Sequence, residues 1–278
     1  MSVAPIRDLY RTFVPEILQD VIREVVVQPA LAAQMMVDRE LARQFPESAE
    51  PHVQAVLQAL LRPGDTFVDV GASLGGLAAP ASRLVAPGGT VVCFEPVPAN
   101  FMRLTKTLSR RASPETHLVL ENRAVGGCSK TVQIHLNFWD GLHTTEPEVN
   151  RGGRVGSLAV EQVTLDEALA YHRVEHVSLL KVDVEGAEKQ VLEGARQLLT
   201  NGAIDAVVLE ICNPEEPGKA HNAQGIAGLF ADAGYDGLLV TEAGISSWDF
   251  SCCKQREDVL FVPRGRELPR LKALRHAG

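Results

Sequence analysis

The sequence predicts an α/β protein with a doubly wound, mostly parallel sheet and an antiparallel edge strand. From residue 62 onward, short apolar runs alternate with helix-like stretches. The first run, Thr66–Val70, leads into a glycine-rich turn, and the run Thr90–Phe94 is followed by the acidic Glu95. A strand, a glycine turn, a helix and an acid at the tip of the next strand are typical of α/β domains that bind a nucleoside.

The predicted strands follow a consistent order along the chain. Helical stretches separate five runs, which are therefore expected to pair in parallel: 66–70, 90–94, 117–121, 178–184 and 206–211. A predicted β insertion at 131–163, with a polar loop at 137–155, lies between the third and fourth of these strands. The last two runs, 235–240 and 258–263, are predicted to pair antiparallel at one edge of the sheet.

Residues 1–61 are predicted to form a helical extension, followed by an α/β domain over residues 62–278. Leu9, Phe13 and Ile17 are spaced by four residues, as along one stripe of an amphipathic helix. Such an extension either covers a ligand pocket as a lid or mediates homodimer formation, and we expect one of these two roles.

Composition and charge narrow the class of partners. The formal net charge is −8 and the isoelectric point is about 5.5, so no basic surface is expected and nucleic acid is not an expected partner. No apolar segment is long enough to span a bilayer, so we expect a cytoplasmic protein with no membrane partner. The five cysteines contain no Cys-x-x-Cys pair, which argues against a disulfide framework or a zinc site.

The glycine-rich turn favours a nucleoside cofactor that carries no phosphates. Its spacing, Gly71-x-x-x-Gly75-Gly76, departs from the Gly-x-Gly-x-x-Gly pattern that brings a helix N-terminus against a pyrophosphate. Glu95 has two carboxylate oxygens and is expected to accept hydrogen bonds from both ribose hydroxyls. The residues of the first strand and turn that we expect to contact the cofactor are Asp69, Gly71, Ala72, Ser73, Gly75 and Gly76.

Seven segments of the sequence occur in the order found in FkbM-type methyltransferases. They are Asp69–Gly75, Phe94–Phe101, Asn122–Gly126, Thr164–Asp166, Leu180–Glu188, Val191–Ala195 and Leu209–Ile211. The sequence therefore resembles this family over roughly residues 62–263. The resemblance implies a Rossmann-like class I methyltransferase that uses S-adenosylmethionine, leaves S-adenosylhomocysteine, and commonly methylates hydroxyl groups of sugars, lipids or secondary metabolites.

The resemblance also implies positions for parts of the cofactor. It places the adenine beside Asn122, Arg123 and Ala124. Pro96, which directs the chain away from the second strand, is assigned to the same cofactor site. Asp69 is expected to accept hydrogen bonds from loop amides or to offset the positive charge of the cofactor.

The run from Lys181 to Glu185 carries the predicted catalytic chemistry. Alternate side chains of a strand point to the same face, so Lys181, Asp183 and Glu185 are expected on one face. Asp183 is predicted to lie where cofactor and acceptor meet, and Glu185 to orient one of them. Charged residues at strand ends also form purely structural salt bridges, and this alternative stays open.

Transfer of a methyl group to an alcohol requires removal of the hydroxyl proton. Histidine is suited to proton transfer near neutral pH, so His143 and His221 are the candidates for a base alongside Asp183. A surface histidine is more often simply solvated.

Three other functions are alternatives to this one. Asp183 and Glu210, with Asp166 or Asn213, are candidates for a magnesium site, but the sequence has no diagnostic metal spacing and no metal ligand is assigned. An NAD-dependent oxidoreductase would require the tighter glycine spacing, and a non-catalytic binding subunit would have lost the cofactor residues. The sequence therefore predicts an S-adenosylmethionine-dependent O-methyltransferase whose acceptor is a hydroxylated small molecule, such as a sugar unit or a secondary metabolite.

Overall fold

The structure is a computed structural model that describes residues 50–137, 145, 154–211, 220–249, 257–265 and 271. Several predictions from the sequence fall outside these ranges. They are the helical stripe before residue 50, most of the loop 137–155 with the base candidate His143, and the metal-ligand candidate Asn213. The base candidate His221 lies in a described helix, but its side chain is outside the description.

The described residues form helices and strands in the alternation that the sequence predicts. The helices are α1 Pro51–Leu60, α2 Ala78–Val85, α3 Pro98–Arg111, α4 Leu165–Tyr171, α5 Glu188–Glu193, α6 Arg196–Thr200 and α7 Ala220–Asp232. The strands are β1 Thr66–Val70, β2 Thr90–Phe94, β3 His117–Glu121, β4 Ala124–Val125, β5 Lys130–Asn137, β6 Arg154–Val163, β7 Leu179–Val182, β8 Val207–Ile211, β9 Tyr235–Thr241, β10 Gly244–Ser247 and β11 Glu257–Pro263.

The main sheet has eight strands in the order β10-β9-β11-β8-β7-β1-β2-β3. Strands β1, β2, β3, β7 and β8 pair in parallel, whereas β11 pairs antiparallel with β8 and β9. The predicted doubly wound, mostly parallel sheet with an antiparallel edge is therefore confirmed. The strand order reverses between β1 and β7, and open α/β sheets bind ligands beyond the carboxyl ends of the strands at such a point.

Apolar side chains cover both faces of this sheet. On one face, Val68 and Val70 of β1 belong to a buried cluster with residues of α4, α5, α6 and α7. On the other face, Phe67 belongs to a second buried cluster with residues of α1, α2 and α3. Side chains alternate along a strand, so Asp69 lies on the same face as Phe67, toward α1 to α3.

The segment between β3 and β7 contains a smaller sheet of three strands in the order β4-β6-β5. Strands β5 and β6 pair antiparallel, and β4 pairs parallel with the end of β6. Its first strand, β4, follows β3 directly in the chain, and β3 is an edge strand of the main sheet.

Helix α1 packs into the same core as the main sheet. Its side chains Val53, Val56 and Leu57 are buried in the cluster that contains Phe67. The helix ends shortly before β1 begins, so its first turn is directed toward the carboxyl edge of the parallel strands. Among the described helices, including α1, we find no apolar span with the length needed to traverse a bilayer.

The turn after β1 lies close against the ends of β2 and β7. The amides of Gly71 and Ala72 both donate to the carbonyl oxygen of Phe94, at 3.0 Å. Gly71 has φ +86, and a Cβ atom at this position would lie 1.8 Å from the carbonyl oxygen of Asp183. Glycine is therefore required here both for the left-handed backbone and for the close approach of the two strand ends.

We expect Gly71→Ala to destabilise the fold by at least about 2 kcal/mol, because the new methyl group meets backbone that cannot rotate away. Gly76→Ala, in the same turn, is the matched control, since no atom lies within 4 Å of a Cβ built there. Urea unfolding measures both free energies of unfolding. Equal stability of the two variants would contradict the structural role assigned to Gly71.

Candidate cofactor and acceptor site

Glu95 holds the glycine-rich turn through its carboxylate. Oε2 accepts a hydrogen bond from the amide of Ser73, and Oε1 accepts one from the amide of Val97, each at 2.9 Å. Ser73 has φ +47, and Glu95 is 5% exposed. A carboxylate has about four lone-pair sites, so one such group can accept several hydrogen bonds at once. Two predicted cofactor residues are thus brought into direct contact.

The other glycines of the turn have different surroundings. Gly75 has φ +84, and a Cβ there would lie 2.9 Å from Cδ1 of Leu104 in α3. This glycine therefore has a packing role against a helix, which the sequence did not reveal. Contact of Gly75 and Gly76 with a cofactor stays a prediction.

The three residues predicted to lie beside the adenine have different surroundings. Asn122 donates from Nδ2 to the carbonyl oxygens of Glu95 and Pro96, at 2.8 Å and 3.1 Å, and so fixes the turn after β2. Arg123 donates from Nε to Oε2 of Glu121 at 2.8 Å. Ala124 is buried in β4. Of the three, Asn122 is the one whose side chain the structure joins to the predicted ribose site.

Lys181 lies at the centre of the polar residues at the ends of β1 and β7. It is the register neighbour of Asp69, and its Nζ lies 3.1 Å from Oδ2 of Asp183. Burial alone would lower the pKa of Lys181, but the carboxylates of Asp183, Asp69 and Glu50 raise it above its ordinary value. The ammonium group is therefore charged. The expected shared face of Lys181 and Asp183 agrees with their contact.

Asp69 faces this lysine rather than the glycine turn. The residue is 1% exposed, and its Oδ1 accepts no hydrogen bond from the described residues. Burial raises the pKa of Asp69 to about 6, although Lys181 opposes the shift. The expectation that loop amides donate to Asp69 finds no support among the described residues, so its other predicted role, offsetting a positive charge, is the one that remains.

Strand β7 ends at Val182, earlier than predicted, and the chain then turns beside β8. Glu185 has φ +56, a conformation outside strand geometry. One carboxylate oxygen each of Asp183, Glu185 and Glu210 lies within 4.8 Å of the others, and we call these three residues the carboxylate cluster. Burial, followed by repulsion from Asp183 and Glu185, raises the pKa of Glu210 to about 9. The cluster is therefore a place where a proton or a divalent cation is favoured.

Asp166 is not part of this cluster. Its carboxylate accepts hydrogen bonds from the amides of Gln197 and Leu198, at 3.0 Å and 3.1 Å, in the first turn of α6. The suggestion that Asp166 ligates a metal beside Asp183 is therefore wrong, because both of its oxygens cap a helix. The cluster instead contains Glu185, which lies two residues after Asp183 and is brought inward by the turn after β7.

A histidine and an aspartate that sequence reasoning missed lie near the carboxylate cluster. Nε2 of His52, in the first turn of α1, is 2.6 Å from Oδ2 of Asp258, near the start of β11. Both side chains are 20% exposed. Asp258 carried a usable signal, since the first residues of a strand antiparallel to β8 must lie at its carboxyl end. His52 carried none, because its position depends on how α1 packs.

The curated protein hexuronic acid methyltransferase AglP of Haloferax volcanii is similar to this chain. It is 29% identical over 165 residues, which cover 57% of this chain and 62% of AglP. This chain therefore spans less than two thirds of the length of that relative.

Solved structures of methyltransferases are also similar to the chain. Methyltransferase FkbM from Methylobacillus flagellatus KT has a TM-score of 0.46 at 14% identity, over 87% of this chain and 60% of that one. Fibrillarin from Aeropyrum pernix, with S-adenosylmethionine bound, has a TM-score of 0.41 at 18% identity, over 76% of this chain and 73% of that one.

The methyltransferase FkbM domain matches residues 69–236 as a family model, which is more than half of the chain. This range begins at Asp69 in β1 and ends in β9, so it includes the glycine turn, Glu95 and Asp183. The chain therefore belongs to the FkbM methyltransferase family.

Proposed function

We propose that this protein is an S-adenosylmethionine-dependent O-methyltransferase that acts on a hydroxyl group of a small molecule. The observation that carries the proposal is the meeting of four predicted residues at the point where the strand order reverses. Glu95 holds Ser73 through an amide hydrogen bond, and Gly71 lies against the backbone of Asp183. A nucleoside with a positively charged substituent fits this arrangement.

The polar atoms of the site match the chemistry of S-adenosylmethionine. The carboxylate of Glu95 offers two acceptor oxygens, as the two ribose hydroxyls require. Oδ1 of Asp69 and Oδ1 of Asp183 are buried and accept no hydrogen bond from the described residues. Such atoms favour a positively charged partner, and the cofactor has an ammonium and a sulfonium group. When bound, it supplies an electrophilic methyl group.

The acceptor side is expected to be the carboxylate cluster and its neighbour Asp258. Transfer in line with the carbon–sulfur bond requires the acceptor oxygen to be held in one geometry beside the donor. We propose a hydroxylated acceptor such as a sugar unit or a secondary metabolite. The similarity to a hexuronic acid methyltransferase supports a sugar.

A magnesium-assisted O-methyltransferase is the second candidate, and the carboxylate cluster favours it. Carboxylate oxygens are preferred ligands of Mg²⁺, and a bound cation would lower the pKa of an acceptor hydroxyl. Asp183, Glu185 and Glu210 are the residues that would hold the ion.

We expect S-adenosylmethionine and S-adenosylhomocysteine to raise the melting temperature, and NAD⁺ to leave it unchanged, because a ligand that binds only the folded state stabilises that state. Glu95→Gln removes the negative charge of the carboxylate that is expected to bind the ribose hydroxyls. The variant should bind S-adenosylhomocysteine about tenfold or more weakly, since a hydrogen bond to a charged group contributes about 1.5–3 kcal/mol. Calorimetric titration measures the dissociation constants.

Glu115→Gln is the matched control for this experiment, because Glu115 is exposed and precedes β3 at the opposite edge of the sheet. It should bind S-adenosylhomocysteine like the wild-type protein. Stabilisation by NAD⁺ without any response to the adenosyl compounds would contradict the proposed function and favour an oxidoreductase.

We expect a neutral sugar to be a better acceptor than an anionic one. Methyl glucoside and glucuronic acid differ in one carboxylate, and that charge would meet the carboxylates of Asp183 and Asp258. Two like charges about 4 Å apart repel each other by about 1–4 kcal/mol in surroundings between bulk water and a protein surface. We therefore expect kcat/KM for methyl glucoside to exceed that for glucuronic acid by about tenfold or more. Transfer of a labelled methyl group to each sugar measures the ratio, and a preference for glucuronic acid would contradict the electrostatic argument.

Glu210 predicts a loss of stability as the pH rises. Its pKa is about 9 in the folded protein and near 4.5 when unfolded, so the folded state retains a proton that the unfolded state releases between these values. In the presence of a chelator, the free energy of unfolding should fall by about 2 kcal/mol or more between about pH 5.5 and pH 8.5. Glu210→Gln should show a smaller fall.

Glu175→Gln, at an exposed position, should show the same pH dependence as the wild-type protein. Added Mg²⁺ distinguishes the two proposed mechanisms in the same assay. If the cluster binds the cation, Mg²⁺ restores stability to the wild-type protein at high pH and has little effect on Glu210→Gln. An identical pH dependence of Glu210→Gln and the wild-type protein would show that Glu210 does not retain the proton.

A further inference from the structure

The contact between His52 and Asp258 has the geometry of a histidine oriented by a carboxylate. Nε2 of His52 lies 2.6 Å from Oδ2 of Asp258, so a hydrogen on Nε2 donates to the carboxylate. Nδ1 of His52 makes no hydrogen bond with the described residues, and the side chain is 20% exposed. The second ring nitrogen is thus available to a ligand, and the first sets the tautomer.

Strand pairing places this contact beside the carboxylate cluster. Asp258 of β11 lies opposite Glu210 of β8, and Val182 of β7 lies opposite Leu209. Asp183 follows Val182 and therefore lies next to Glu210. Asp183, Glu210 and Asp258 thus form a row across the carboxyl ends of three adjacent strands, and His52 reaches the far end of this row from α1.

We propose that His52 is the general base of the transfer reaction and that Asp258 is the positioning residue for its imidazole. This inference rests on the proposed function and adds the residue that removes the proton. Nδ1 of neutral His52 accepts the hydroxyl proton as the acceptor oxygen forms its bond to the methyl carbon. The bond from that carbon to sulfur breaks, and its electron pair stays on sulfur. The products are a methyl ether, the neutral thioether and an imidazolium, which releases its proton to solvent.

The charges around His52 stabilise the imidazolium that forms. Asp258 contacts the ring directly, and Glu50 also interacts electrostatically with His52. Lys181 is the cation that faces these groups from β7, but Asp183 and Asp69 offset its charge. The carboxyl group of Glu210 lies beside Asp258 in the neighbouring strand. The carboxylates of Asp258 and Glu50 therefore offset the positive charge that the ring acquires when it takes the hydroxyl proton.

Both residues lie outside the matched methyltransferase domain, which covers residues 69–236. The residues predicted to hold the cofactor lie inside this range. The structure therefore divides the reaction between two parts of the chain, with donor binding inside the shared domain and proton removal by segments that flank it. The acceptor would then lie between the carboxylate cluster, which belongs to the shared domain, and the two flanking residues.

His52→Gln tests the assignment, with the methyl glucoside and glucuronic acid assay and with S-adenosylhomocysteine binding. We expect kcat to fall by about 10²–10⁴-fold, the usual contribution of a general base. The dissociation constant of S-adenosylhomocysteine should change by less than about twofold, because His52 is not in the cofactor site. A kcat close to the wild-type value would overturn the proposal.

His176→Gln is the matched control. His176 also pairs with an aspartate, with Nε2 2.9 Å from Oδ1 of Asp205, but this pair precedes β7 and β8 at the amino ends of the strands. Both variants lose a contact between a histidine and an aspartate. Only His52→Gln loses one beside the carboxylate cluster. His176→Gln should retain full activity, and an equal loss of activity in both variants would overturn the proposal.

Two measurements separate a base from a packing residue. Imidazole added to His52→Ala should restore part of the activity, because a small base can enter the space left by the side chain. Nuclear magnetic resonance of isotope-labelled histidine needs no acceptor, and it should show the tautomer of His52 with the hydrogen on Nε2. A hydrogen on Nδ1 in the neutral ring would overturn the proposal, and Asp258→Asn should shift the tautomer equilibrium.

The outcomes also distinguish this proposal from the proposed function. If the wild-type protein binds S-adenosylhomocysteine and methylates a sugar while His52→Gln does so equally well, the base assignment falls and the function stands. If the wild-type protein does not bind S-adenosylhomocysteine, the proposed function falls, and the base assignment falls with it.

Discussion

The structure at the carboxyl ends of the parallel strands depends on the buried ammonium group of Lys181. The residue is 7% exposed and lies between the carboxylates of Asp69 and Asp183. An unpaired charge in such a position would cost several kcal/mol, and so would either carboxylate without the lysine. The three residues are therefore stable only as a set, and this set holds the ends of β1 and β7 in one electrostatic arrangement where a positively charged donor is expected.

The backbone around this set leaves little freedom for the glycine turn. Gly71 lies against the carbonyl of Asp183, and Glu95 accepts the amide hydrogen bond of Ser73. Asn122 in turn holds the backbone after β2. The proposed cofactor side of the site is thus organised by contacts to the main chain at the strand ends. Such contacts form within the protein itself, so the turn has its shape without a ligand.

The acceptor side differs in both its charge and its origin. Asp183, Glu210 and Asp258 lie at the ends of three neighbouring strands, and burial raises the pKa of Glu210 and of Asp258. Burial is the largest effect that raises the pKa of Asp258, and the hydrogen bond from His52 opposes it. An acidic surface of this kind favours a proton, a cation or an uncharged polar acceptor. The helix that completes it, α1, precedes the part of the chain that matches the family.

The sequence by itself determined the central strands, their parallel pairing and the glycine-rich turn after the first of them. Apolar runs such as Thr66–Val70 and turns rich in glycine are encoded by neighbouring residues, so their pattern is visible without a structure. Tertiary structure alone decided which side chains share a face across different strands. The pairing of Asp69 with Lys181, the packing of Gly75 against α3 and the contact of His52 with Asp258 join residues far apart in the chain. Strand register and helix packing set such contacts, and no local pattern specifies either of them.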